Sequence, residues 1–402
     1  MMMTVGKEQI RAAGRFLGQS VMSLAFDMGG LVAGTILAAF LGAFSTVPWA
    51  VLVFPGILSI RGAVGGLFSG RLSTALHIGS IRPSFLHNTR EYYDLIQSVV
   101  VLTLVSGVSM AAMASVFSAA LLGTTIADSL TMILVVIATM GLSLFVISPI
   151  TIGVSIVSVR RGLDPDVITY PIVSTVADIL VTACYVMILS ANAAFPFTLP
   201  LLAGGDLLFA GSSVLIIMTD RRKGTVRTTL KQFLGTLAIV VVIVNVTGSF
   251  LDRISRVVSE RPELYMVYPA LIDTVGDVGS IVGSTTTTGL TMGTLPPTLT
   301  GIKKQTTEVA MAWLASMIMF GVYCGLATLY FGLTPAAVLG LLGVLLTANL
   351  LSVLCVSIFA YVLAIVTVKR GLNPDNFVIP VESSVADTVT TIAILFALTV
   401  LS

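Results

Sequence analysis

Charge is what this chain has least of. Only 10% of its 402 residues are Asp, Glu, Lys or Arg, where soluble domains carry roughly 25%, and a water-facing surface cannot be clothed with so few. Histidine is nearly missing, at two residues, His77 and His87, which lie without ligand spacing. The three cysteines, Cys184, Cys324 and Cys355, fall in apolar segments without CxxC spacing, so they read as small core residues rather than a disulfide or metal framework. A net charge of +2 with no basic tract interleaved with aromatics gives nucleic acid nothing to hold. No nucleophile, base and orienting group occur together, which speaks against an enzyme. The basic stretch Met1 to Arg15 precedes an apolar run too long for a signal peptide and without a cleavage site.

What remains is apolar. Hydrophobic residues make up 56% of the chain and the mean hydropathy is +1.04, so its medium is the lipid bilayer and its fold class is an all-α, polytopic integral membrane protein. Apolar runs of spanning length predict helices at 16–42, 50–80, 92–122, 128–159 and 166–190. A further set follows at 230–250, 264–294, 307–331, 336–368 and 375–401, with a linker helix at 200–219 between the sets.

The two sets are copies. Arg160 to Thr182 and Lys369 to Thr391 agree at 11 of 23 positions, among them Pro165/Pro374, Pro171/Pro380 and Asp178/Asp387. Val53-Phe54-Pro55 likewise aligns with Val267-Tyr268-Pro269, and Gly62 and Gly65 with Gly276 and Gly279. The expected organisation is a cytoplasmic tail at 1–15, a five-helix repeat at 16–190, a linker with one helix at 191–229 and a second five-helix repeat at 230–402. Five is odd, so the linker helix restores the direction of the second copy, giving about eleven spans and two parallel repeats about an axis along the membrane normal. Basic clusters at Lys7 to Arg15, Arg82 to Arg90, Arg160-Arg161, Arg221 to Lys231, Lys303-Lys304 and Lys369-Arg370 then fall on one side. Only Arg253, Arg256 and Arg261 fall on the other. The positive-inside rule makes the first side, and the N-terminus, cytoplasmic, and leaves the C-terminus outside in a multi-pass plasma-membrane protein.

Carboxylates at mid-depth carry the functional reading. Asp178 lies roughly 18 Å along its helix from Asp166, near the centre of a ~30 Å hydrocarbon layer, and Asp387 repeats it in the second copy. A charge there is costly, and the same cost in both copies predicts a facing pair lining a wet gap. Pro171 and Pro380 should kink these two helices. Where the first copy has Ser59, Arg61 and Ala63, the second has Asp273, Val275 and Asp277. Asp273 and Asp277, one turn apart, either share a proton, take a cation, or pair with Arg61 from the other repeat. Asp27 sits mid-helix with Asn245 as its approximate counterpart, and Glu382 replaces Val173 near Asp387. Each acid also has a structural reading as a hydrogen-bonded or ion-paired side chain. Thr285 to Thr288 offers hydroxyls either to ion-bound water or to its own helix carbonyls. Six acids against the single Arg61 call for positive charge, and oxygen ligands suit hard cations such as Mg2+ or Ca2+.

Pro55-Gly-Ile-Leu-Ser-Ile-Arg-Gly, Arg71-Leu-Ser-Thr-Ala-Leu-His77-Ile-Gly, the Asp-Pro…Pro…Asp segment at 164–178 and the Asn-Pro…Pro…Asp segment at 373–387 resemble the MgtE type magnesium transporters. The fused pair of five-helix units is similar to solute carrier family forty-one. The resemblance implies a pore between the repeats in which the last-helix aspartates, Asp178 and Asp387, hold largely hydrated Mg2+. The segment before Phe16 is too short for the cytoplasmic sensing domains of bacterial MgtE, so gating by that route is not expected. The family's Gly-Asn step is replaced by Gly62-Ala63 and Gly276-Asp277. The expected function is transport of divalent cations, Mg2+ first, with Na+ or H+ as an alternative coupling ion and Asp273 with Asp277 as the exchanging pair. The fused repeats would let one chain act as a monomer. The competing reading is a Na+- or H+-coupled carrier of a small organic solute, which asks for a helix broken by a longer polar interval. A membrane scaffold gives no reason for acids at mid-depth in both copies.

Overall fold

The computed structural model describes residues 2–40, 47, 49–85, 87–161, 165–220, 225–257, 261–291, 293–370 and 374–401, and among these twelve α-helices and no strand occur. The helices are α1 (Met2–Leu24), α2 (Gly29–Ala39), α3 (Ala50–Ile78), α4 (Arg90–Leu122), α5 (Ile126–Arg160) and α6 (Pro165–Ala194), then α7 (Thr198–Thr219) and α8 (Thr225–Val257). They continue with α9 (Pro262–Thr291), α10 (Thr306–Phe331), α11 (Pro335–Lys369) and α12 (Pro374–Leu401). Most begin and end within a few residues of the apolar runs. The first differs: α1 starts at Met2, ahead of the expected 16, and a 3-10 turn, Ala25–Met28, interrupts the expected 16–42 helix at Asp27. The side chains of Pro171 and Pro380, where kinks were expected, lie outside the described residues.

Local chemistry sets the hairpins. Gly123 at φ 66° and Gly332 at φ 63° end α4 and α10 in left-handed geometry, which costs glycine nothing. Two residues later Thr125 and Thr334 cap α5 and α11. Thr125 forms a full capping box with Asp128, and Thr334 precedes Pro335 at the first helical turn. The same punctuation in both copies produces the same tight turn.

Ten helical segments among the described residues are long and apolar enough to cross a membrane. The eleventh expected span, α9, is not one of them, although it has 30 residues. Its composition explains this: Asp273, Asp277, Ser280, Ser284 and Thr285 to Thr288 dilute its hydropathy. The linker helix α7 is the opposite case. It exposes Leu201, Leu207, Leu208 and Leu215 and turns only Thr198, Asp206 and Ser213 inward, a polar stripe on a lipid-facing helix. Thr198 donates to the Ala191 carbonyl at 2.9 Å, while Asp206 Oδ2 and Ser213 Oγ have no hydrogen-bond partner.

The compact units do not follow the sequential repeats. One, the C-terminal unit, consists of Met1–Ala38 with Arg253–Ser402, and the other, the central unit, is Ala39–Asp252. In the C-terminal unit α1 packs on α10, while α9 packs on α10, α11 and α12. Gly34 lies directly on the carbonyl of Met266, and Gly30 lies against the backbone of Ala270. In the central unit α3 packs on α4, α5 and α6. There Gly248 of α8 lies on the carbonyl of Leu52, and Gly56 against Val244. Gly34 to Gly248 and Leu52 to Met266 are both steps of 214, the register that aligns the two Val-aromatic-Pro segments. Each copy's first helix therefore completes the other copy's unit, through small residues that let backbones meet.

Candidate functional site

Five of the expected acids gather in the C-terminal unit. Asp27, 8% exposed, is carried by the 3-10 turn that packs on α9. Its Oδ2 accepts a hydrogen bond from the Thr274 hydroxyl at 2.9 Å. Because Thr274 has given its only proton to Asp27, the Tyr323 hydroxyl, 2.7 Å away, is the donor to Thr274. The result is a directed chain from Tyr323 through Thr274 to Asp27, tying α10, α9 and the 3-10 turn together. Asp273 and Asp277 stand one turn apart on α9, both half-buried, and with Asp27 they act electrostatically on Tyr323.

A second cluster faces α12. Glu382 is fully buried, its Oε2 accepts from Ser280 at 3.1 Å, and its Oε1 has no donor and rests over Gly279. Asp277 and Asp387 both act on Glu382, so Asp277 links the two clusters. Asp387 is 6% exposed. Beside it Thr391 donates to the Asp387 carbonyl at 2.6 Å, and Tyr268 donates to Thr391 at 2.8 Å. Among the described residues of this unit no Lys or Arg is buried. Nor do three acids, histidines or cysteines anywhere among the described residues stand close enough to enclose a bare metal ion.

The central unit holds the sixth acid differently. Asp178, half-buried on α6, lines a cavity of about 10 Å³ with Arg61, Gly62, Gly65, Ser69 and Ser174, roughly the space of one water. Arg61 is 3% exposed, with its Nε unpartnered and the charge of Asp178 within reach. Arg61 lies in the same unit as Asp178, whereas Asp273 and Asp277 lie in the C-terminal unit. Asp178 and Asp387 themselves belong to different units.

Geometry refines two further expectations. Asn245 is buried in the central unit, donating to the Val241 carbonyl at 2.7 Å. The register of 214 makes Val241, not Asn245, the counterpart of Asp27, with Asn245 one turn further on. Of the two expected uses of the Thr285–Thr288 hydroxyls, Thr285 and Thr286 take the second, returning to the carbonyls of Ile281 and Val282, and Thr286 also lies 2.9 Å from the Gln305 Oε1. Thr274, Ser280 and Tyr323 were not expected from the sequence. Thr274 and Ser280 could have been found as hydroxyls flanking the acids of α9, whereas Tyr323 sits in an apolar run with no local signal. Asp206 was not expected either; it is 8% exposed on the linker helix with Oδ2 unpartnered.

The family model MgtE, described as a divalent cation transporter, matches residues 54–188 and again 268–398, two copies in one chain. Neither the comparison with curated proteins nor that with solved structures gives a match.

Proposed function

The chain belongs to the MgtE family of divalent cation transporters, and from that premise we propose that it carries Mg2+ across the cell membrane past the acids of the C-terminal unit. The single observation that supports this most is the concentration of negative charge there: Asp27, Asp273, Asp277, Glu382 and Asp387 lie in one connected group. Among the described residues of that unit no Lys or Arg is buried with them. Gathering desolvated carboxylates in this way is costly, and a visiting cation offsets the cost. Mg2+ binds oxygen and surrenders its water reluctantly, so a few carboxylates contacting a hydrated ion suit it better than a closed cage.

In this reading Asp387 and Glu382 hold the ion's water shell from α12, and Asp273 and Asp277 do so from α9. Asp27, oriented by Thr274, adds a fifth negative charge. Asp178 is the corresponding last-helix acid of the central unit. Asp273 and Asp277, one turn apart, are also the pair through which Na+ or H+ would exchange for Mg2+. The basic residues favour an N-terminus in the cytoplasm and a C-terminus outside, and one chain suffices because it contains both repeats.

The test is Mg2+ uptake into proteoliposomes. Asp387→Asn should lower the initial rate at least tenfold while the protein elutes as a single folded species. Wild-type uptake in both Asp387→Asn and Glu382→Gln would refute the assignment.

A further inference from the structure

The two units carry opposite charges in the same place. Gly65 in α3 and Gly279 in α9 are equivalent in the register of 214, and each lacks a side chain where a charged group lies over it. The Arg61 guanidinium covers Gly65, and the Glu382 carboxylate covers Gly279. The counterpart of Arg61 is Val275, 0% exposed, and the counterpart of Glu382 is Val173, 4% exposed. The exchange is therefore complete: Arg61 with Val173 in one unit, Val275 with Glu382 in the other. Both charged groups are buried, at 3% and 0% exposure, and each keeps one polar atom without a partner, Arg61 Nε and Glu382 Oε1. Beside each stands the last-helix aspartate of its own unit, Asp178 within reach of Arg61 and Asp387 within reach of Glu382.

A guanidinium is a permanent cation. Next to Asp178 it supplies the positive charge that, in the other unit, only an incoming ion could supply, and it repels a second cation from the same place. We propose that Arg61 is a tethered cation that compensates Asp178 in the central unit as a divalent cation compensates Glu382 and Asp387 in the C-terminal unit. The duplicated half-sites are then unequal: one retains an ion, and the other carries its own. This rests on the reading of Glu382 and Asp387 as cation contacts.

The experiment counts Mn2+ bound to the full-length protein in lipid nanodiscs by equilibrium titration with electron paramagnetic resonance. The wild-type chain should bind one buried Mn2+, lost in Glu382→Gln. If Mn2+ binds unchanged in Glu382→Gln and Asp387→Asn, the assignment of the acids fails, whatever Arg61 does. Arg61→Met should bind a second Mn2+, and the Arg61→Met, Asp178→Asn double variant should return to one, while Arg61→Lys should match the wild type. A count of one in Arg61→Met, with affinity within about twofold of wild type, overturns the proposal. Asp178→Asn with Arg61 retained gives a second reading should Arg61→Met not fold. The count must stay at one, and loss of that ion also overturns it.

Discussion

Gly34 and Met266 meet backbone to backbone: the Gly34 Cα side of α2 lies on the Met266 carbonyl with no room for a side chain between them. The same contact recurs between Gly248 and Leu52 in the other unit. These two points lock the first helix of each copy into its unit, and they fix the register in which Arg61 and Glu382 become comparable.

A side chain at Gly34 must push apart two helix backbones, which cannot rotate away as a flexible side chain would. Gly34→Leu should lower stability by about 3 kcal/mol or more, at the upper end of overpacking costs. Gly18, where a β-carbon would meet nothing within 4 Å, is the control, and Gly18→Ala should be neutral or stabilise by up to about 1 kcal/mol. Thermal unfolding in detergent, followed by size-exclusion recovery, compares the two. Equal behaviour would mean that the close approach is not what holds α2.

Thr274 donates to Asp27 Oδ2, and Tyr323 stands one bond further back. Thr274→Val keeps the shape and removes the donor, so it should cost about 0.6–1.7 kcal/mol, the range for interhelical hydrogen bonds in membranes. Uptake of Mg2+ should slow several-fold as Asp27 loses its orientation. Tyr323→Phe should have the same sign and a smaller size in both assays. The order of the two variants is the check, because a larger loss in Tyr323→Phe would place the functional group at the phenol rather than at the acid.

Binding of a transported ion to the folded state must also stabilise it. At about one hundred times its dissociation constant, Mg2+ should add about 2.7 kcal/mol, read as a rise in the unfolding midpoint that chelation by EDTA reverses. Asp387→Asn should abolish most of that rise without lowering the midpoint measured in EDTA. A wild-type protein indifferent to Mg2+ over the millimolar range would argue against a retained ion.

Much of this is written along the chain because the relevant signals are local. Spanning length and apolar composition mark a helix by themselves, and Gly123-Thr125 and Gly332-Thr334 mark the turns by their own conformational preferences. Depth, too, is a count of residues from a helix end, which is why Asp27, Asp178, Asp273, Asp277, Glu382 and Asp387 all stand out before any folding is considered. Asn245 does not pair with Asp27 because alignment by apolar pattern tolerates a slip of one turn, and only the Gly248 contact with Leu52 removes that freedom.

By itself, then, the sequence determined a duplicated, all-helical membrane protein and a family likeness that the matches at 54–188 and 268–398 bear out. Tertiary structure decided which helix completes which unit, that Arg61 stands with Asp178, and that Tyr323 and Thr274 orient Asp27. The physical reason is that apolar faces in lipid are nearly interchangeable. Partner choice falls to a few close backbone approaches and polar pairs between residues tens to hundreds of positions apart, which no local pattern records.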